Sequence, residues 1–311
     1  MVEIFMTVDN SLLKINEIQE GCWISLTNPT VAELQDISEK TDIDINHLRA
    51  PLDEEERARI EVEDDYNIIV VDIPTIEKGH KMDRYITIPL GIILSKKFLI
   101  TICLEETPIL KIFKDGRIRN FYTYKKSRFI LQILYRNATT FLQNLRTIDR
   151  KSDEIERKLH ISTQNSELID LLDLEKSLVY FTTSLRSNEV VLEKMLKIES
   201  IKQYPEDEEL LQDVIIENKQ AIEMANIYSG ILSGTMDAFA SIISNNQNIV
   251  MKFLTAVTIV LSIPTMIASF YGMNFVNIPG GKHPYGFYIA TFAGLLITFI
   301  IIIIFKKKKL F

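Results

Sequence analysis

The chain reads as an α+β domain followed by long helices and two C-terminal membrane helices. Three observations predict this. Residues 1 to about 115 mix short β-rich and helical runs, while residues 117–204 contain neither Pro nor Gly and carry apolar residues at helical spacing. Two apolar runs then close the sequence, 18 residues from Phe253 to Phe270 and 19 from Phe287 to Phe305. Each approaches the roughly 20 residues needed to cross a bilayer as a helix.

Taken in order, "CWISL" (22–26) reads as a strand, and "NPTVAELQDISEKT" (28–41) as a helix with Pro29 in its opening turn. The strongest strand signals are "YNIIVVDIPTI" (66–76), "RYITIPLGIILS" (84–95) and "KFLITICL" (97–104). "TPILKIFKDG" (107–116) predicts a short helix ending at Gly116. Two long helices follow, separated near "HISTQNS" (160–166). Pro205 and the acidic "EDEE" (206–209) open another helix, where acids suit the helix dipole. Leu211, Val214, Asn218, Ala221, Ala225, Tyr228, Leu232, Met236 and Phe239 trace one continuous face, so a single helix is expected from about 206 to 272. It would be roughly 100 Å long. Gly230 and Gly234 are tolerable interruptions that mark candidate points of close helix approach.

The predicted divisions are a 1–118 α/β domain, long helices over 119–205, and a stalk helix continuing into the first span over 206–272. An external loop (273–284), a second span (285–305) and a basic tail (306–311) complete them. A pair of buried core helices is the alternative reading of the two apolar runs. Core helices are striped, whereas "GLLITFIIIIIF" is apolar on every side and ends in "KKKK" (306–309). The Lys run predicts a cytoplasmic C-terminus, and two spans then place the N-terminal bulk in the cytoplasm too. Asp9, Asn10 and Glu20 interrupt the first 40 residues, so no secretory signal is expected. Cys22 and Cys103 form no CxxC motif and are expected to be reduced.

Charge is partitioned. The formal net charge is −7, yet residues 251–311 hold six Lys and no acid, leaving 42 acids against 29 bases upstream, a net of −13. An acidic domain beside a membrane favours cations over nucleic acid, although ordinary solubility asks for no more than this. No nucleophile, base and orienting group stand in a recognisable arrangement, so an enzyme is not expected. His47, His80 and His160 show no paired metal-ligand spacing, so no fixed zinc site is expected either. His283, in the loop, reads as solvated or as a weak metal contact.

Polar and small residues of the first span are ordered. Ser244, Asn248, Met251, Thr255, Thr258, Ser262, Thr265, Ser269 and Gly272 recur in alternating steps of four and three. That period keeps one edge turned towards a common axis. Such an edge either lets membrane helices pack closely or forms the wall of a wet path between several copies. Pro264 removes one helical hydrogen bond and permits a kink or hinge.

Tyr271-Gly272-Met273-Asn274, at the end of the first span, resembles the motif of the CorA family of magnesium channels. "NIVMKFLTAVTIVLSIPTMIASFYGMNF" (248–275), "WISLTNPT" (23–30) and "LQDVIIENKQAIEMANIYSGILSG" (211–234) carry the resemblance across nearly the whole chain. It implies a funnel-shaped homopentamer, with each subunit giving one pore helix and one outer helix. Gly272, Met273 and Asn274 would form the pore mouth, with Asn274 presenting a ring of neutral oxygens to a hydrated magnesium ion. Asn248, Met251, Thr255, Thr258, Ser262, Thr265 and Ser269 would line the pore, with a gate at Met251 and Leu254. Cytoplasmic magnesium would bind between subunits at Asp65 and Asp213, with Asp64 beside them, and hold the pore closed.

The resemblance therefore implies passive uptake of Mg2+, and of Co2+ or Ni2+, through a multi-pass protein of the cell membrane. A divalent ion gains roughly 4.6 kcal/mol across 100 mV, so no ATP is required. Its partners would be its own copies, the membrane and divalent cations, with no nucleic acid. A proton-coupled zinc or divalent-cation transporter on the same fold is the alternative, and a membrane-anchored sensor with tethering spans is a third reading. The loop "FVNIPGGKHPYGF" (275–287) departs from the family pattern in carrying Lys282 and His283 but no acid.

Overall fold

The computed structural model describes residues 1–77, 83–161, 165–198, 201, 205–273 and 283–308. It comprises two units, Met1–Thr235 and Met236–Phe311.

In the first unit, alternating apolar runs assemble one mixed sheet of seven strands. These are β1 (Val2–Val8), β2 (Ser11–Ile15), β3 (Trp23–Thr27), β4 (Arg59–Val62), β5 (Tyr66–Glu77), β6 (Arg84–Ser95) and β7 (Leu99–Cys103). Their order is β2-β1-β3-β7-β6-β5-β4. Among the described residues only the β3–β7 pair is parallel, aligning Trp23 with Leu99 and Thr27 with Cys103. The three runs read as the strongest strand signals occupy the β5, β6 and β7 positions. β1, β2 and β4 are additional to the sequence reading; β2 and β4 are the edge strands, and all three show weak alternation.

Successive residues of a strand face opposite sides of a sheet. On β3 this sends Trp23 to one layer and Ile24 and Leu26 to the other, which also holds Cys22 just before the strand. The second layer holds Leu34 and Ile37 of helix α1 (Val31–Thr41) and Leu48 of α2 (Ile45–Arg49). α1 begins at Val31, three residues beyond the Asn28 start read from the sequence. Thr30 is the N-cap and forms a capping box with Glu33, leaving Pro29 outside the helix. A 3-10 turn, Ala50–Leu52, then crosses β6 so closely that a Cβ at Gly91 would lie 2.2 Å from Pro51 Cγ.

Trp23 anchors the first layer. Phe5 and Phe129 lie 5.1 and 5.0 Å from its ring, and its Nε1 donates to Thr101 Oγ1 at 2.9 Å. This layer is covered by α3 (Pro108–Lys114), α4 (Lys126–Ile161) and α5 (Asn165–Met195). α4 and α5 are the two long helices read from the sequence, joined through Phe141 against Phe181 at 5.0 Å.

α6 is a single 67-residue helix, Pro205–Tyr271. The face predicted for it is the buried one, since Leu211, Val214, Asn218, Ala221, Ala225 and Leu232 are all buried. Asn218 Nδ2 donates to the Leu185 carbonyl at 3.0 Å, a polar tie between α6 and α5. At Gly230 and Gly234 an added Cβ would meet open space, so neither is a close approach within one chain. α7, Gly286–Lys307, is the second apolar helix. Cys22 and Cys103 are both free and buried.

Candidate ion pathway

In the second unit the apolar composition is matched by exposure. Only Ala256 of α6 and Gly286 and Gly294 of α7 are fully buried in the two spans. The covered face of α6 is Ala256, Val257, Val260, Ile263, Pro264 and Ile267. Ile267 marks the helix contact, because a Cβ at Gly294 would lie 3.2 Å from its Cδ1. A groove of about 420 Å³ lies beside that contact, lined by Pro264, Tyr271 and Phe287 among others.

The polar stripe lies elsewhere. Asn248, Met251, Thr255, Thr258, Ser262, Thr265, Ser269 and Gly272 are all exposed, as is Leu254. At about 100° per residue the stripe and the α7-covered face are centred roughly 180° apart on α6. The second span therefore takes the apolar side and leaves the hydroxyl edge open. α6 stays helical through Pro264.

The hydroxyls are oriented by their own helix. Thr258 Oγ1 donates to the Leu254 carbonyl at 2.8 Å, Ser262 Oγ to Thr258 at 2.7 Å, and Thr265 Oγ1 to Leu261 at 2.8 Å. A hydroxyl has one proton and two lone pairs. With the proton committed to the backbone, each of these side chains offers only acceptor capacity outwards. Waters around a cation turn their oxygens to the ion and their hydrogens away from it, so they need acceptors in the wall.

Gly272 and Met273 end the helix in exposed positions, with Gly272 N donating to Ala268 O at 2.9 Å. Asn274, on which the mouth expectation chiefly rests, lies outside the described residues, as does Lys282. His283 is described, and its Nδ1 accepts from Tyr285 N at 3.3 Å.

The three carboxylates expected to bind regulatory ions belong to the first unit. Asp64 and Asp65 form the exposed turn between β4 and β5, and Asp65 pairs with Lys96 at 3.4 Å. Asp213 is exposed on α6, flanked by the buried Val214. All three offer hard oxygen ligands to water, as magnesium prefers.

One grouping was not visible in the sequence. His47, Glu61 and Glu63 each bring a ligand atom within 4.8 Å of the others. Reading His47 for spacing along the chain missed them, because the group is closed by sheet pairing and not by local sequence. His80 and the His160 side chain lie outside the described residues.

A mixed-sheet N-terminal domain, long helices and two C-terminal apolar helices, one with an open hydroxyl edge, define a two-span membrane transport protein. The family model described as CorA-like Mg2+ transporter protein matches residues 19–309, and the chain belongs to that family. It is 30% identical to the cobalt/magnesium transport protein CorA of Methanocaldococcus jannaschii, over 92% of this chain and 90% of the relative. It is 24% identical to the cobalt/magnesium transport protein CorA of Thermotoga maritima, over 98% and 88%. The complete structure of the M. jannaschii CorA magnesium transporter superposes with a TM-score of 0.84 at 27% identity, covering 98% of this chain and 97% of that one. The full-length CmaX protein, at 11% identity and a TM-score of 0.73, shares the fold.

Proposed function

We propose that the protein is a passive magnesium channel, open also to Co2+ and Ni2+, assembled as a funnel-shaped homopentamer around the hydroxyl edge of α6. The observation that carries this reading is the open stripe of back-bonded hydroxyls. A dry packing surface has no use for outward lone pairs, whereas a hydrated divalent ion needs them at every level of its path. Asn248 would form a polar ring at one end, with Met251 and Leu254 narrowing the passage as the gate. Thr255, Thr258, Ser262, Thr265 and Ser269 would form the wall, and Gly272, Met273 and Asn274 the mouth.

Regulation is assigned to magnesium bound between subunits by Asp65 and Asp213, with Asp64 adjoining. Carboxylates brought together across an interface repel, and a divalent ion relieves that repulsion. Loss of the ion would loosen the ring. The 1–118 domain, the 119–205 helices and the stalk would lie in the cytoplasm together with both termini, and 273–284 outside. This orientation is supported by the Lys run that ends the second span.

A proton-coupled divalent-cation transporter shares the fold, but the α6 stripe carries no ionisable side chain to relay a proton. Purified protein in liposomes loaded with a magnesium-sensitive dye separates the two. The expected result is influx that follows membrane potential, is indifferent to a pH gradient and is abolished by Asn274→Ala. Influx driven by the pH gradient would replace the channel with the exchanger, and unchanged influx in Asn274→Ala would remove the mouth assignment.

A further inference from the structure

His47, Glu61 and Glu63 belong neither to the stripe nor to the carboxylates assigned to magnesium. His47 lies on α2, Glu61 on β4 and Glu63 one residue beyond β4. They converge because the antiparallel β4–β5 pair, with Val62 opposite Asn67 and Glu61 opposite Ile68, brings the end of β4 beside Tyr66. The Tyr66 hydroxyl lies 3.0 Å from His47 Nδ1. The same hydroxyl accepts from the Asp44 backbone N–H at 3.3 Å, and Glu63 N donates to the Tyr66 carbonyl at 3.0 Å. Tyr66 thus holds both the imidazole and the Glu63 backbone.

We propose that His47, Glu61 and Glu63 form a binding site for a borderline transition-metal ion, of the Zn2+, Co2+ or Ni2+ class, that joins α2 to the β4–β5 hairpin. The donor set argues for this class. Imidazole suits these ions, whereas Mg2+ prefers oxygen ligands throughout. With His47 neutral, the two carboxylates match the ion's two charges. When Nδ1–H donates to the Tyr66 hydroxyl, Nε2 is left as a lone-pair donor, the arrangement by which an outer hydrogen bond orients a metal-binding histidine. Ligands on one ion at about 2.0–2.2 Å stand roughly 3–4 Å apart. The present separations of up to 4.8 Å close by rotation of the two glutamate side chains. Arg59 Nε also bonds Glu61 and secures that carboxylate, and Glu63 is exposed and ready to close over the ion. Glu63 directly precedes Asp64 and Asp65, so occupancy would stiffen the turn that carries them. That consequence rests on the proposed gating role of the pair, whereas binding itself does not.

The test uses the full-length protein in detergent, with excess Mg2+ to occupy sites built from oxygen alone. Zn2+ is then titrated against a chromophoric chelator. The wild type is expected to retain one tight Zn2+ per chain more than His47→Ala. Glu63→Gln, an exposed change that leaves the fold intact, should weaken that ion at least about tenfold. His283→Ala serves as a control and should bind as the wild type does. X-ray absorption of the Co2+-loaded protein should show imidazole scattering that vanishes in His47→Ala. Equal Zn2+ stoichiometry and affinity in the wild type, His47→Ala and Glu63→Gln would overturn the proposal and leave His47 beside two glutamates, of which Glu61 pairs with Arg59.

Discussion

Replacing Thr258 by Val removes one outward acceptor from α6 and almost nothing else. Valine has the shape of threonine, and the Leu254 carbonyl that receives the hydroxyl keeps its ordinary helical partner, the residue 258 N–H. The side chain is exposed and contributes nothing to a core. Stability should therefore change by no more than about 0.5 kcal/mol, or roughly 2 °C in melting temperature. Conduction is a different matter. In the proposed pentamer the change empties a full ring of acceptors. If two waters of the ion meet that ring together, and each loses a net hydrogen bond of about 0.5–1.5 kcal/mol, the barrier there rises by about 1–3 kcal/mol. That corresponds to a flux lower by about 5- to 150-fold. Thr258→Ser retains the hydroxyl and should conduct within about twofold of the wild type, since its net hydrogen bond is kept. Both variants would be measured as magnesium influx into dye-loaded liposomes at matched protein density. Wild-type flux in Thr258→Val would refute the acceptor-wall argument, because the ring would then play no part in solvating the ion.

Other predictions concern the proposed switch and the domain that bears its carboxylates. Asp213→Ala should keep conducting at internal magnesium that shuts the wild type, and normal closure would remove Asp213 from the switch. Asn188→Ala should destabilise the first unit by about 2–4 kcal/mol in denaturant melts, because Asn188 supplies both an acceptor for Asp72 N–H and a donor to Asp72 C=O, each at 2.8 Å, at a buried position. Asn137 Nδ2, also 2.8 Å from the Asp72 carbonyl, limits the loss. Burial of the Asp72 carboxyl pushes its pKa up from 3.8 to about 6 against an opposing hydrogen bond from Ser184. A raised carboxyl pKa means that the folded state holds its proton longer than the unfolded one. Stability should thus fall as pH rises from about 4 to above 6, by up to about 3 kcal/mol. Asp72→Asn should flatten that dependence and be the more stable protein at pH 8. A wild-type melting temperature that does not move between pH 5 and 8 would contradict it.

What could be read from residues alone was whatever repeats locally. The β5, β6 and β7 runs are continuous apolar segments in the middle of the sheet, and their burial on both faces is written in consecutive residues. β1, β2 and β4 hold their places by pairing, with burial too partial to leave a clear alternation. The Thr30–Glu33 capping box starts α1 at Val31, three residues beyond the start that Pro29 in an opening turn implied. The stripe on α6 was legible as a period, and its relation to α7 was not. The Ile267–Gly294 contact, which turns the hydroxyl edge away from the second span, depends on two helices that are separate in the sequence.

The sequence by itself determined the two spans, the long helix and the spacing of its polar edge, since helical period and bilayer thickness act on neighbouring residues. Only the tertiary structure decided that β3 lies parallel to β7, that Asn188 serves Asp72 from 116 residues away, and that His47 stands with Glu61 and Glu63. These contacts come from the order of strands in a sheet and from helices laid across it. Chain entropy makes each of them costly to form alone, so they appear together when the whole domain closes.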